Sequence, residues 1–253
     1  MSVKIVIPSR FGSSRLEGKP LLDIHGKPMV LHVVDRCIEA GVLSENIYIA
    51  TDDYRIVAAL GDCEVKVVMT SNKHNSGTDR INEVVRKYDW SDDDVVINVQ
   101  GDEPMIPSSL IRNIVQFSLD NPHFEITTAV TTLKSNQEFN NPNIVKAIVG
   151  SDNRALYFTR SPAPMDRDNP GCFKLAKRHI GIYAYQVSAL KKFCGYAEDL
   201  LEKTEKLEQL RALSHGMSIG AITFEENIPH GVDTVSDYEY IIELMERCGE
   251  ENS

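Results

Sequence analysis

Short uninterrupted apolar runs alternate along this chain with stretches whose apolar positions recur every three to four residues. The run "VKIVI" (3–7) stops at Pro8 and predicts a buried parallel strand. From Pro28 the period changes. Val30, Val33, Val34, Cys37 and Ile38 share one helical face, and Gly41 ends the pattern. "NIYIAT" (46–51) predicts the next strand, and Asp52 is placed to cap a short helix over about 53–60. "VKVVM" (65–69) reads as a strand, 78–87 as a helix and "VVINV" (95–99) as a further buried strand. Pro107 sits where a helix begins, running to about residue 119, and "EITTAVTTL" (125–133) alternates like a strand.

After Asn136 the texture shifts. "SNQEFNNPN" reads as polar loop, and "SPAPMDRDNPG" (161–171) is too proline-rich for a central strand. "HIGIYAY" (179–185) and "MSIGAITF" (217–224) predict strands, and 187–193, 205–213 and 235–247 predict helices. Strands alternating with helices imply a mostly parallel, open α/β sheet with right-handed crossovers. No internal repeat or low-complexity tract interrupts it. The expectation is one α/β domain over 1–253 with an insertion-like portion at about 137–215.

Composition narrows the partners. The 253 residues are 42% hydrophobic and 25% charged, ordinary for a globular protein with a sizeable core. The net charge of −10 disfavours nucleic acid and anionic membranes, so an anionic substrate needs a local basic site. Five cysteines in an odd count, with no CxxC pair, argue against a disulfide framework or a zinc site and fit a reducing cytoplasm. No segment reads as a signal peptide or membrane span.

Two stretches carry candidate chemistry. The first, "IPSRFGSSRLEGKPL" (7–21), sets Arg10, Arg15 and Lys19, with Lys4 upstream, against Glu17 in a glycine-containing turn between the first strand and helix. Turns at that place in α/β folds bind phosphates through converging N–H groups. The spacing is not G-x-G-x-x-G, and Pro20 after Lys19 excludes a Walker A loop. What remains is a turn that supplies its own cations, two forked arginines and a lysine, for a triphosphate. The bland alternative is a solvated loop.

The second stretch, "VVINVQGDEPMI" (95–106), delivers Gln100, Gly101, Asp102 and Glu103 at the carboxyl end of a buried strand, where open sheets bind ligands. Asp102 there suits Mg²⁺, which takes one or two protein carboxylates. It equally suits a cap on the turn before Pro104. In "HGVDTVSDYEY" (230–240), Asp233 can close across to Asp102, or Asp233, Thr234 or Ser236 can cap the following helix.

Taken with "HGKPM", "HNSGTDR", "NVQGDEPMIP", "NPNIVKA", "ALYFTR", "DRD", "RHIGIYAY", "EKLEQLR" and "GVDT", in that order over nearly the whole chain, these stretches resemble the sugar cytidylyltransferases, most closely the CMP-Kdo synthetase (3-deoxy-manno-octulosonate cytidylyltransferase) family. The resemblance implies a nucleotide-diphospho-sugar transferase-like fold, an open sheet with helices on both faces and a smaller sugar-binding and dimerisation portion. It also implies a cytoplasmic homodimer that activates an acidic keto-sugar with CTP for lipopolysaccharide biosynthesis. By the same resemblance Arg10, Gly12, Ser13, Arg15 and Lys19 bind the CTP phosphates, and Ser76, Gly77, Thr78 and Arg80 border the nucleotide. Gln100 lies beside the reacting groups, and Asp102 and Asp233 hold Mg²⁺. Arg160, Arg167, His179, Tyr183 and Glu208 match positions that contact the sugar.

Plain structural roles stand beside these: His179 and Tyr183 as core strand residues, and Glu208 as a helical partner of Arg211. The chain departs from the family at Glu17, at Met165 in "SPAPMD", in a short 168–177 loop and at "PHGVD". These departures bear on the sugar, 3-deoxy-manno-octulosonate or its 8-amino analogue, more than on the reaction. A sialic-acid-type synthetase and a non-catalytic nucleotide-binding module are the rival readings.

Overall fold

A computed structural model describes residues 2–12, 16–61 and 63–251. Ser13 and Arg15, both expected at the phosphates, lie outside the described residues. Two compact units emerge, one formed by 1–112 with 227–253 and the other by 113–226. The change of texture after Asn136 therefore falls inside the second unit and not at its edge.

The first unit is a parallel α/β layer. Strand β1 (Val3–Ser9) is followed by a small hairpin, β2 (Asp23–Ile24) and β3 (Lys27–Pro28), and then by α1 (Met29–Glu39). β4 (Ile47–Thr51), α2 (Tyr54–Leu60), β5 (Lys66–Met69), α3 (Gly77–Lys87) and β6 (Val95–Asn98) continue the alternation. β6, β1, β4 and β5 lie side by side, every pair parallel. Ile5, Val6, Ile7, all of β4 and all of β6 are buried, as expected of parallel strands covered on both faces. α4 (Ser108–Asp120) leads into the second unit.

The second unit holds β7 (Ile126–Thr132), α5 (Asn136–Asn140), β8 (Lys146–Val149), β9 (Ala155–Thr159), β10 (Lys177–Gln186), α6 (Val187–Phe193), α7 (Leu200–Glu205), α8 (Gln209–Ser214) and β11 (Ile219–Thr223). β11 runs parallel to β7, whereas β7–β10, β10–β8 and β8–β9 are antiparallel. The chain ends in α9 (Val235–Glu251), which belongs to the first unit. There Val232 and Ile241 join Ile24 and Met29 in a core cluster.

Several local expectations change. Asp53, not Asp52, caps α2: its extended backbone lets the carboxylate accept the Arg55 N–H at 2.9 Å, while Asp52 turns to Arg80. The stretch expected as polar loop contains α5. Ser135 Oγ accepts the Glu138 N–H, Glu138 accepts the Lys134 N–H, and Phe139 anchors the turn against Leu133 and Ala176. The helix expected over 205–213 starts only at Gln209, and a separate helix, α7, precedes it and ends where Lys206 takes a left-handed conformation (φ 54°). Strands β8 and β9 were not expected at all.

Cys37, Cys63, Cys172 and Cys194 are free thiols. Among the described residues no helix is long and apolar enough to cross a membrane.

Candidate active site

The carboxyl ends of β1 and β6 open onto a cavity of about 430 Å³. β1 stops at Ser9, so Arg10 and Gly12 fall on its rim. Lys19 opens a short 3-10 turn, Lys19–Leu21, and the preceding Gly18 supplies the left-handed residue (φ 68°) that turns the chain inward. The Gly18 N–H donates to the Phe11 carbonyl at 2.9 Å, closing the loop at its base. Lys4 is not part of this basic turn. It lies near the other end of β1 and pairs with Asp94 at 3.8 Å.

From β6 come Gln100 and Asp102. Gln100 donates to Asn98 Oδ1 at 3.3 Å and lines the cavity. Gly101 between them has no space for a side chain, since a Cβ there would stand 2.8 Å from Ser9 Oγ and 2.9 Å from the Pro8 carbonyl oxygen. The sequence places Gly101 at this strand end but gives it no role. Its signal was only a glycine flanked by polar residues after an apolar run.

The cap on α9 is made by other residues than Asp233. Thr234 Oγ1 accepts the Asp237 N–H, and Asp237 Oδ2 accepts the N–H groups of Asp233 and Thr234, a reciprocal cap on α9. The Asp233 carboxylate is thus not the cap. It meets Lys19 Nζ at 3.2 Å, and Asp102 Oδ2 meets the same ammonium at 2.6 Å. The Val232 N–H donates to the Asp102 carbonyl at 2.8 Å, tying the two segments together. Two hard carboxylates converging on one cation are a donor set that fits Mg²⁺, so the residues present suit the expected ion.

Of the residues expected to border the nucleotide, Ser76 and Gly77 line the cavity. Ser76 Oγ accepts the Asp79 N–H and caps α3. Thr78 is buried, and Arg80 is completely enclosed. The Arg80 guanidinium donates to Asp52 Oδ2 at 2.7 Å and to Thr70. Burial pushes its pKa down, Asp52 opposes that, and nearby Arg10 adds to the lowering. Arg80 acts here as an internal strut between α3 and the ends of β4 and β5. Pro8, Ser9 and Asn75, which the sequence motifs contain, also line the cavity.

The second unit groups most of the expected sugar residues. His179 and Tyr183 sit on β10 with ring centres 5.3 Å apart. The Thr128 hydroxyl lies 3.0 Å from His179 Nε2. His179 is half-buried, not sealed, yet it sits deep enough that desolvation pushes its imidazole down to about 3. It is therefore neutral at ordinary pH. Burial and the Glu208 carboxylate both raise the Tyr183 hydroxyl well above its usual range, which places Glu208 in the same group. Glu208 lies 3.9 Å from Arg211, which itself forks onto Glu202 at 2.6 and 2.7 Å. Arg160 donates to the carbonyls of Glu205, Pro142 and Lys206. Arg167 is exposed on the proline-rich loop.

The cytidylyltransferase family profile matches residues 4–219. The 3-deoxy-manno-octulosonate cytidylyltransferase of Acinetobacter baumannii (strain SDF) is 44% identical over 238 residues, covering 92% of this chain and 94% of the relative. The protein of the same name from Alcanivorax borkumensis is 44% identical over 245 residues, 94% of this chain and 96% of the relative. A solved structure of CMP:2-keto-3-deoxy-manno-octonic acid synthetase complexed with CTP matches with a TM-score of 0.89 at 39% identity, over 98% of this chain and 99% of that one.

Proposed function

Because the chain belongs to the cytidylyltransferase family, we propose that it transfers the cytidylyl group of CTP to 3-deoxy-manno-octulosonate, an acidic eight-carbon keto-sugar. The observation that carries this reading is the meeting of Lys19, Asp102 and Asp233 in a cavity also lined by Arg10, Gly12, Ser76, Gly77 and Gln100.

The anomeric hydroxyl oxygen attacks the α-phosphorus. The bond from that phosphorus to the bridging oxygen breaks, pyrophosphate leaves with the electron pair, and the hydroxyl proton passes to solvent. Arg10, Lys19 and, by the same reading, Arg15 and Ser13 gather the phosphates. Their charges offset what develops on the leaving group. The cap at Ser76 and the N-terminal turn of α3 offer backbone donors to the nucleotide. Gln100 orients the reacting groups. Asp102 and Asp233 would hold Mg²⁺, which when bound supplies charge neutralisation and acidifies the attacking hydroxyl.

For the sugar, Arg167 is the exposed cation for the carboxylate, with Tyr183 and Glu208 for hydroxyls. His179, being neutral, would serve as a hydrogen-bonding ring and not as an ion. Arg160 would have to release backbone carbonyls before it could fork onto a substrate. The working form is proposed to be a cytoplasmic homodimer, checked by light scattering and fractionation.

The test supplies CTP or UTP, Mg²⁺ and one of three acceptors: 3-deoxy-manno-octulosonate, its 8-amino analogue or a sialic acid. Pyrophosphate and CMP-sugar are read by mass. Product is expected from CTP with an octulosonate and not from UTP or the sialic acid; no product from any acceptor would sink the reading. Asp102→Asn is expected to lower turnover at least about a hundred-fold while the circular dichroism spectrum stays unchanged.

A further inference from the structure

Lys19 is held more deeply than either carboxylate it touches. Its side chain is 11% exposed, against 37% for Asp102 and 53% for Asp233. Each of the three is fixed from its own side. Lys19 stands at the first position of its 3-10 turn, behind the Gly18–Phe11 bond. Asp102 follows Gly101, which is wedged against Pro8 and Ser9. Asp233 is held by the Val232 bond to the Asp102 carbonyl and by its own N–H on Asp237. Two carboxylates drawn to one point repel each other unless a cation stands between them.

The geometry points to Lys19 as a tethered counter-ion that occupies the place of the divalent cation until a triphosphate draws its ammonium away. The inference rests on the nucleotidyl-transfer reading and deepens it. A bare divalent ion entering alone must drive the ammonium off both carboxylates and give it nothing in return. In a cleft of reduced dielectric that displacement is costly. A triphosphate offers the ammonium new oxygen partners in the cavity that Lys19 lines together with Arg10 and Gly12. Metal and nucleotide therefore enter together, and by linkage each strengthens the binding of the other. The unliganded enzyme is correspondingly protected from loading the ion without its substrate.

The test is a Mn²⁺ titration of the whole protein, followed by electron paramagnetic resonance of the free ion. It is run without nucleotide and with an α,β-methylene analogue of CTP, after subtracting the ion that the analogue holds alone. Wild type is expected to bind Mn²⁺ weakly by itself and at least about ten-fold more tightly with the analogue. Lys19→Met is expected to bind Mn²⁺ about ten-fold more tightly than wild type without nucleotide, and the coupling to the analogue should shrink. Adding Asp233→Asn to Lys19→Met should return the affinity to the weak level.

A Lys19→Met protein that binds Mn²⁺ no better than wild type overturns the proposal. Lys19→Gln repeats the comparison with a polar side chain. If neither variant keeps its circular dichroism spectrum, Lys19 is a structural strut and not a displaceable ion, and the proposal also fails. The titrations involve no sugar and no turnover. A wild type that forms no CMP-sugar would defeat the proposed reaction and leave this result standing, and the converse holds equally.

Discussion

A methyl group on residue 101 would press against the Ser9 hydroxyl and a backbone carbonyl, and the carbonyl cannot move aside without shifting β1. Gly101→Ala is therefore expected to cost about 1–3 kcal/mol, read as a lower thermal midpoint. It should also weaken CTP binding in a calorimetric titration, because β6 delivers Gln100 and Asp102 through this contact. A variant with unchanged CTP affinity would show that the close approach does not set the site. At this scale the sequence was legible where charge stood out: Arg10, Lys19, Asp102 and Asp233 all reach the cavity. Neighbouring like residues were not separable. Asp52 and Asp53 differ in role only because one backbone is extended and the other carboxylate faces a buried arginine, and neither condition is local to the sequence. Arg80 misleads for a similar reason. A motif can show that an arginine is needed, but not whether it meets a ligand or braces the wall behind it.

One carboxylate of helix α3, Glu83, reaches back to the loop before it. Glu83 accepts the Ser71 N–H at 2.8 Å, meets Lys87 at 2.8 Å and contacts His74. Partial burial works to raise this carboxyl, and Lys87, the Ser71 N–H and His74 together overcome it and hold it at about 2. The folded value lies below that of an unfolded glutamate, about 4.3. Its contribution to stability is thus fully present above that pH and is lost as the pH falls toward 2. Thermal midpoints of Glu83→Gln are expected to lie below wild type at neutral pH and to converge with it in this acid window; parallel curves would remove Glu83 from the account.

Elements of the first unit were legible because two-sided burial leaves unbroken apolar runs, as in β4 and β6. The second unit was harder. Its β8 and β9 are short, antiparallel and only partly buried, so no continuous run marks them. The short helix α5 hides in polar residues and is held by its cap and one phenylalanine.

On the scale of the whole molecule, an acidic chain offers a polyanion a cavity where two cations, Arg10 and Lys19, stand with two carboxylates, Asp102 and Asp233. The formal charge of −10 repels CTP at a distance, while Arg10 and Lys19 attract it close by. At contact the attraction is the larger of the two, so added salt, which screens both fields, weakens binding on balance. The KM for CTP is expected to rise several-fold between about 10 mM and 0.5 M potassium chloride, with kcat nearly constant. A KM that does not move would mean that hydrogen bonds and not charge hold the triphosphate.

The first unit is discontinuous in sequence, with 1–112 completed by 227–253. Its acidic pair joins a residue from each piece, and the Val232–Asp102 bond links them. During translation, Asp102 emerges long before Asp233, with the entire second unit synthesised in between. A nascent chain stalled in that interval has the ammonium and one carboxylate but not the other. The proposed metal-binding pair is completed last, after the polypeptide that separates its halves has already left the ribosome.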